Sequence, residues 1–211
     1  MFKYNNNYYF TGSDLYGWNS SRVYYFKSDN ILGKFNAQTG LPHIMSGTKD
    51  SFAHNSQAGF YTTIHGSEQD LVIYCGDRWC DFAGNGIGYN QWVPVTMDES
   101  GIPHFNNLSQ WKLDAEKGTW EIGQGNNYLN NPDFEADRKQ TYIPTGWEVY
   151  DNIEGLANSN LSGRQYAGNF VWRQSAGEDY VACIKQNIDG LTKLLTLATK
   201  CRTKKIQVFL L

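Results

Sequence analysis

The chain has 211 residues and a formal net charge of −3, and its length suits one large domain or two small ones. That near-neutral balance, with 18% charged residues, excludes a phosphate backbone as partner, because such a partner requires clustered Lys and Arg. A hydrophobic content of 40% excludes wholesale disorder, and no stretch of about 18 apolar residues offers a membrane-spanning helix.

In chain order, Phe2-Lys3-Tyr4, Asn5-Asn6-Asn7 and Tyr8-Tyr9-Phe10 read as a hairpin around an Asn-rich turn. Residues 23–27 form a second β-rich run. Residues 59–65 and 70–75 flank a polar turn and read as another hairpin. Residues 91–97 alternate in part, and residues 98–101 supply a turn. Trp111-Lys112-Leu113 and Thr119-Trp120-Glu121 flank a turn at residues 114–118. Short, evenly spaced strands with turn residues between them predict an all-β sandwich, barrel or propeller.

A polar, turn-rich run at residues 123–127 marks a boundary, with domain one at residues 1–124 and domain two at 125–211. The second is short for a complete sandwich. Lys193-Leu194-Leu195 stands where a strand connection favours Gly or Asn, and residues 206–211 are apolar to the last residue. Together they predict a shortened second domain or, alternatively, a genuine final strand. The basic cluster at residues 200–205 reads as a solvated strand or tail.

The 7 Trp and 14 Tyr suit sugar C–H faces, on which rings stack, and they equally suit a packed core. Of four cysteines, Cys75 and Cys80 either pair across a loop or stay reduced, and neither pattern matches a zinc site. His43, His54, His65 and His104 lack ligand spacing and read as ordinary loop or surface residues. The first residues lack the charged and apolar regions of a signal peptide.

An ordered series of short motifs adds to this reading. Met1-Phe2-Lys3, Tyr8-Tyr9-Phe10-Thr11-Gly12-Ser13, Leu15-Tyr16-Gly17-Trp18, Asn55-Ser56-Gln57, Gly76-Asp77-Arg78-Trp79, Gln91-Trp92-Val93-Pro94-Val95 and Trp111-Lys112-Leu113 resemble the closing part of glycoside hydrolase family 43. The likeness is to its galactan-acting, exo-β-1,3-galactanase-like branch. It implies a five-bladed β-propeller, of which this chain supplies about the last two blades. It also implies a secreted protein, extracellular or periplasmic, that hydrolyses O-glycosidic bonds in galactan-like polysaccharide and requires no cofactor.

Glycoside hydrolysis uses two carboxyl groups, one of them held protonated to serve the leaving oxygen. The resemblance places that general acid ahead of Met1, so no catalytic residue is expected in this chain and hydrolysis is expected of the full-length protein alone. Asp14, Asp77, Asp98 and Glu99 are carboxylates of the right type. Arg78 beside Asp77 favours an ionised state, and Asp98 with Glu99 sits in a turn signal. Gln57 matches an amide near the anomeric carbon, where it orients water or binds a hydroxyl. Ser13, Tyr16, Gly17 and Trp18 match a loop lining the same pocket, with Trp18 either a sugar platform or a core ring. Asp77, Arg78 and Trp79 fit a structural role at a blade edge.

Leu129-Asn130-Asn131-Pro132-Asp133-Phe134-Glu135, Pro144-Thr145-Gly146-Trp147 and the run at residues 180–191 resemble galactose-binding-like β-sandwiches of jelly-roll type. Carbohydrate-binding module families 4 and 22 share that fold. This second likeness implies a structural calcium near Glu135, since hard cations take carboxylate oxygens. It also implies a core position for Trp147, and Tyr166 and Trp172 as binding rings. The alternative to a hydrolase is a non-catalytic carbohydrate-binding protein, and a third reading is an all-β surface protein with no glycan site.

Overall fold

A computed structural model describes residues 1–13, 22–36, 43–44, 56–78, 89–106, 108–129, 131–132, 147–151, 159–162, 170–173, 183–187, 196–202 and 205–210. Every regular element among them is a β-strand, and all the strand pairs are antiparallel.

The first sheet has the order β1-β2-β3-β4, from β1 (Phe2–Tyr4), β2 (Asn7–Ser13), β3 (Val23–Ser28) and β4 (His43–Ile44). Tyr4 pairs with Asn7, leaving Asn5 and Asn6 as a two-residue turn at φ of 42° and 60°. Asparagine tolerates this left-handed backbone, and a turn with both central residues there matches the twist of the flanking strands. The Asn7 side-chain amide donates to the Asn5 carbonyl and closes the turn.

The second sheet has the order β5-β6-β7-β8, from β5 (Gln57–His65), β6 (Asp70–Arg78), β7 (Tyr89–Met97) and β8 (Pro103–Phe105). The turn between β7 and β8 is organised by Asp98. Its carboxylate accepts the Ser100 and Ile102 amides at 2.9 and 2.8 Å and meets His104 Nε2 at 3.2 Å. Gly101 supplies the left-handed residue, at φ 74°. The turn expected at residues 98–101 is therefore present, with Asp98 bonded into it.

The two sheets pack face to face. Phe2, Tyr9, Val23 and Tyr25 of the first meet Val72, Tyr74, Val93, Val95 and Phe105 of the second in one buried cluster. Rings dominate the contact, with Phe2 stacked on Tyr9 at 4.8 Å and Tyr74 against Phe105 at 4.4 Å. Phe2 meets Tyr61 across the interface at 4.7 Å. Such pairs add directional preference to plain area burial. The buried Tyr9 hydroxyl donates to the Gly101 carbonyl at 3.0 Å, tying the first sheet to the Asp98 turn. Burial pushes that phenol up to about 12, so it remains a neutral donor at physiological pH.

A separate hairpin, β9 (Trp111–Asp114) and β10 (Thr119–Ile122), lies against the far side of the second sheet. Its Trp111 and Trp120 pack on Leu71, Ile73 and Cys75. The two turns bond to each other, with Ser67 N–H donating to Glu116 O at 2.7 Å and Gln69 Nε2 to Gly118 O at 3.0 Å.

The run read as a boundary is fastened rather than loose. Gly123 N–H donates to Gln110 O, the Asn126 side-chain oxygen accepts the Ser109 and Gln110 amides, and Asn127 N–H donates to Ser109 Oγ. Beyond it, β11 (Glu148–Asp151), β14 (Cys183–Asn187), β15 (Thr196–Arg202) and β16 (Lys205–Leu210) form one sheet, and β12 (Ser159–Ser162) pairs with β13 (Phe170–Arg173). Trp147 is buried and its indole N–H donates to the Asn131 carbonyl at 3.1 Å, in keeping with the core position expected for it. The basic cluster enters β15 and β16 and the apolar last residues form β16, while Lys193-Leu194-Leu195 lies outside the described residues.

Candidate functional site

Strand pairing fixes which side chains share a face, because residues directly opposite in an antiparallel pair project to the same side. In the second sheet Gln57 pairs with Asp77, and Asp77 with Asn90. The three form a polar row across the ends of three strands. Phe60, Cys75 and Trp92 make the next row on that face. Tyr61, Tyr74 and Val93 project the other way, into the core between the sheets. Among the described residues the hairpin β9–β10 covers the outer face over Ile64, Leu71, Ile73 and Cys75. Beyond it Phe60 is 55% exposed and Trp92 46% exposed. Their rings meet edge to face at 6.2 Å, and Trp111 Nε1 donates to the Trp92 carbonyl at 2.9 Å where the cover ends.

The polar row owes its position to a bulge. The register of β5 shifts between Ala58 and Phe60, which bends the start of the strand. Gly59 is required there, because a Cβ would stand 2.8 Å from the Cys75 carbonyl oxygen and 3.0 Å from Asp77 Oδ2. Gly76 has a similar duty on the opposite face, where a Cβ would come to 2.5 Å of both Ser56 Oγ and the Tyr74 hydroxyl. Those two hydroxyls form a buried hydrogen bond of 2.8 Å directly before Gln57. Burial raises the Tyr74 phenol far above its ordinary range, against the opposing effect of the Ser56 bond, and so keeps it neutral. The chain therefore enters β5 from an anchored serine, and the amide of Gln57 follows from a fixed backbone.

Among the described residues the row offers one carboxylate between two amides. Asp77 and Asn90 are exposed and Gln57 is half-buried. Amides donate and accept at once, and a carboxylate accepts, which is the complement that sugar hydroxyls require. At a strand spacing of about 4.8 Å the row spans roughly 10 Å. Cys75 lies beside it as a free, buried thiol, pushed up to about 11 by burial. It is a core residue, and of the two states open to it in the sequence the reduced one is present.

Ser13 closes β2, opposite Val23. Thr11, two residues earlier and on the same face, hydrogen-bonds the Tyr61 phenol, which lays β2 along β5. Ser13 thus belongs to the side of β2 that faces the second sheet, whereas Gln57 belongs to the outer face of that sheet. Tyr16, Gly17, Trp18, Asp14, Trp79 and Cys80 lie outside the described residues, as do Glu135 and Tyr166. Among the described residues no group of three or more His, Cys, Asp and Glu gathers in a metal-holding arrangement. His65 meets Asp70 at 2.9 Å and His104 meets Asp98 at 3.2 Å, both as exposed surface pairs.

Asn90 and Phe60 escape a sequence reading. Asn90 is one of many asparagines, and its place beside Asp77 is a matter of register. Phe60 sits one residue past a bulge that inverts its expected face.

No family model matches the chain, and no curated protein matches it. Among solved structures, the fold is similar to that of an exo-β-1,3-galactanase from Clostridium thermocellum, at a TM-score of 0.50 and 18% identity over 98% of this chain and 39% of that one. An exo-β-1,3-galactanase from Phanerochaete chrysosporium with β-1,3-galactotriose aligns at 0.49 and 18% identity, over 94% of this chain and 36% of that one. A family 43 β-1,3-galactosidase with galactodeoxynojirimycin aligns at 0.41 and 21% identity, over 53% and 31%. The chain accordingly shares an all-β architecture with a galactanase structure of which it spans 39% of the length.

Proposed function

We propose that the chain is part of a family 43 glycoside hydrolase acting on galactose-containing polysaccharide, and that its own role is to bind the sugar. On this reading the first and second sheets are neighbouring blades of a propeller, and residues 125–211 are a carbohydrate-binding sandwich. Gln57 remains the principal contact, joined by Asp77 and Asn90. Tyr16, Gly17 and Trp18 remain the loop contribution, and Ser13, on the side of β2 that faces the second sheet, leads into that loop. Glu135 remains a candidate calcium ligand.

The observation that carries the reading is the Gln57–Asp77–Asn90 row, set by the bulge beside exposed rings, on a fold similar to a galactanase. The composition of the row supports binding rather than turnover as the role of this chain. Hydrolysis asks for two carboxyl groups on opposite sides of the scissile bond, and amides cannot move the proton. One carboxylate between two amides favours binding over cleavage.

Titration of β-1,3-galactobiose into the chain by calorimetry tests this. Saturable binding is expected, weakened about tenfold by Gln57→Ala, which corresponds to about 1.4 kcal/mol. No sugar release from β-1,3-galactan above the buffer rate is expected from the same sample. Binding that is absent, or identical in Gln57→Ala and Asp77→Ala, would remove the row from the site.

A further inference from the structure

We infer that residues 123–127 are a clasp that couples the chain beyond β10 to the candidate site, with Asn126 as its positioning residue. A run of Gly, Gln and Asn between two units is expected to be slack. Here it is bonded to one short segment, residues 108–111. The Asn126 side-chain oxygen accepts the Ser109 amide at 2.8 Å and the Gln110 amide at 3.1 Å. The Gln110 carbonyl accepts from the Gly123 amide and its side-chain oxygen from the Gly125 amide, each at 2.9 Å. Ser109 Oγ accepts the Asn127 amide at 2.6 Å. Gly123 is needed for this approach, because a Cβ there would stand 2.6 Å from Gln110 Cγ and 2.9 Å from the Gln110 carbonyl oxygen.

The same segment is bonded to β7 directly after Asn90. Trp111 Nε1 donates to the Trp92 carbonyl at 2.9 Å, and the Gln91 side-chain amide donates to the Leu108 carbonyl at 3.5 Å. Leu108 itself is buried in the core between the sheets. Residues 108–111 therefore form a bridge, with the clasp on one side and the strand of Asn90 and Trp92 on the other. Past the clasp, the Leu129 amide donates to Asn127 Oδ1 at 3.0 Å, and the carbonyl of buried Asn131 accepts the Trp147 indole at 3.1 Å. A displacement around Trp147 thus reaches β7 through fastened backbone, and contiguous hydrogen-bonded segments of this kind carry coupling between distant sites. The effect on a bound galactoside rests on the carbohydrate reading, whereas the coupling itself is measured with no sugar present.

The test is hydrogen exchange read by mass spectrometry on the whole chain without sugar, for the wild type, Asn126→Ala and Asn126→Asp. Asn126→Ala removes the acceptor of two amides, and exchange at residues 109–111 and 123–127 should rise about tenfold. Exchange at residues 90–92 should rise with it. Asn126→Asp keeps an acceptor in place and should restore wild-type exchange in both regions. Gly123→Ala opens the clasp from the other side and should reproduce the Asn126→Ala pattern, which decides the matter if far-UV circular dichroism shows Asn126→Ala to be unfolded. Affinity for β-1,3-galactobiose should fall in Asn126→Ala and return in Asn126→Asp. A wild-type chain that binds no galactobiose removes the carbohydrate reading, and the exchange pattern alone then decides the coupling. A clasp that opens while residues 90–92 exchange as before overturns the proposal. So does wild-type exchange in both Asn126→Ala and Gly123→Ala, an Asn126→Asp chain that behaves as Asn126→Ala, or galactobiose affinity that Asn126→Ala leaves unchanged.

Discussion

The two four-stranded sheets share an architecture and differ in where they are irregular. The first is regular at its defining turn, where Asn5 and Asn6 satisfy a left-handed backbone and the hairpin register runs on without a shift. The second breaks register at Ala58–Phe60, and the break puts Gln57 opposite Asp77. A bulge costs ladder pairing, and it persists where the surroundings fix it, here Gly59, Gly76 and the Ser56–Tyr74 bond. The regular sheet supplies half of a core, while the irregular one supplies half of a core and the candidate site.

That contrast can be broken at several points. The largest effect belongs to Tyr74, whose ring lies between Tyr61 and Phe105. Tyr74→Ala should cost about 3–5 kcal/mol in urea unfolding, the usual range for truncating a buried ring. A loss below that of an exposed position such as Phe60→Ala would show that the two sheets do not share one core.

Gly76→Ala acts on the irregular sheet alone. The added methyl meets Ser56 and Tyr74, and overpacking of this kind costs about 1–3 kcal/mol. Galactobiose affinity should fall with it, because Ser56 precedes Gln57. Unchanged affinity would separate the bulge from the site. Ser56→Ala leaves the buried Tyr74 hydroxyl without its partner and should cost about 1–3 kcal/mol. Removing both hydroxyls with Ser56→Ala and Tyr74→Phe should recover part of that loss in a double-mutant cycle.

In the regular sheet, Asn6→Val forces a β-branched residue to φ 60° and should cost about 1–2 kcal/mol, read as faster amide exchange in β1 and β2. The smallest effect is electrostatic. Backbone donation from Ile102, followed by His104, holds the Asp98 carboxyl below the usual carboxylate range. A depressed carboxyl stabilises the fold above its unfolded pKa, and that contribution is lost as pH falls through the folded value. Melting of Asp98→Asn should therefore trail the wild type at neutral pH and converge with it in acid. Parallel curves across the whole range would refute the assignment.

Much of the fold was legible in the chain. Asn5-Asn6, the turn at 98–101 and the turn at 114–118 announce hairpins, because those residues accept backbone conformations that others resist. Alternation between those turns gives β5, β6, β7, β9 and β10 to within a few residues. Gln57 was legible as a candidate through its motif. The polar run at residues 123–127 was legible as a turn, but its hydrogen bonds to Ser109 and Gln110 were not, since they join backbone from separate segments.

What the sequence by itself determined is local: an all-β chain, its turns, and the ring-rich strands that form its core. Local backbone preference and period-two patterning act over a few residues, and they suffice for that. Only the tertiary structure decided that Gln57, Asp77 and Asn90 share a row, that Phe60 faces outward with Trp92, and that Cys75 is a buried thiol beside them. Those outcomes depend on register between strands far apart in the chain. A shift of one residue, as at the bulge, reverses the face of every side chain beyond it.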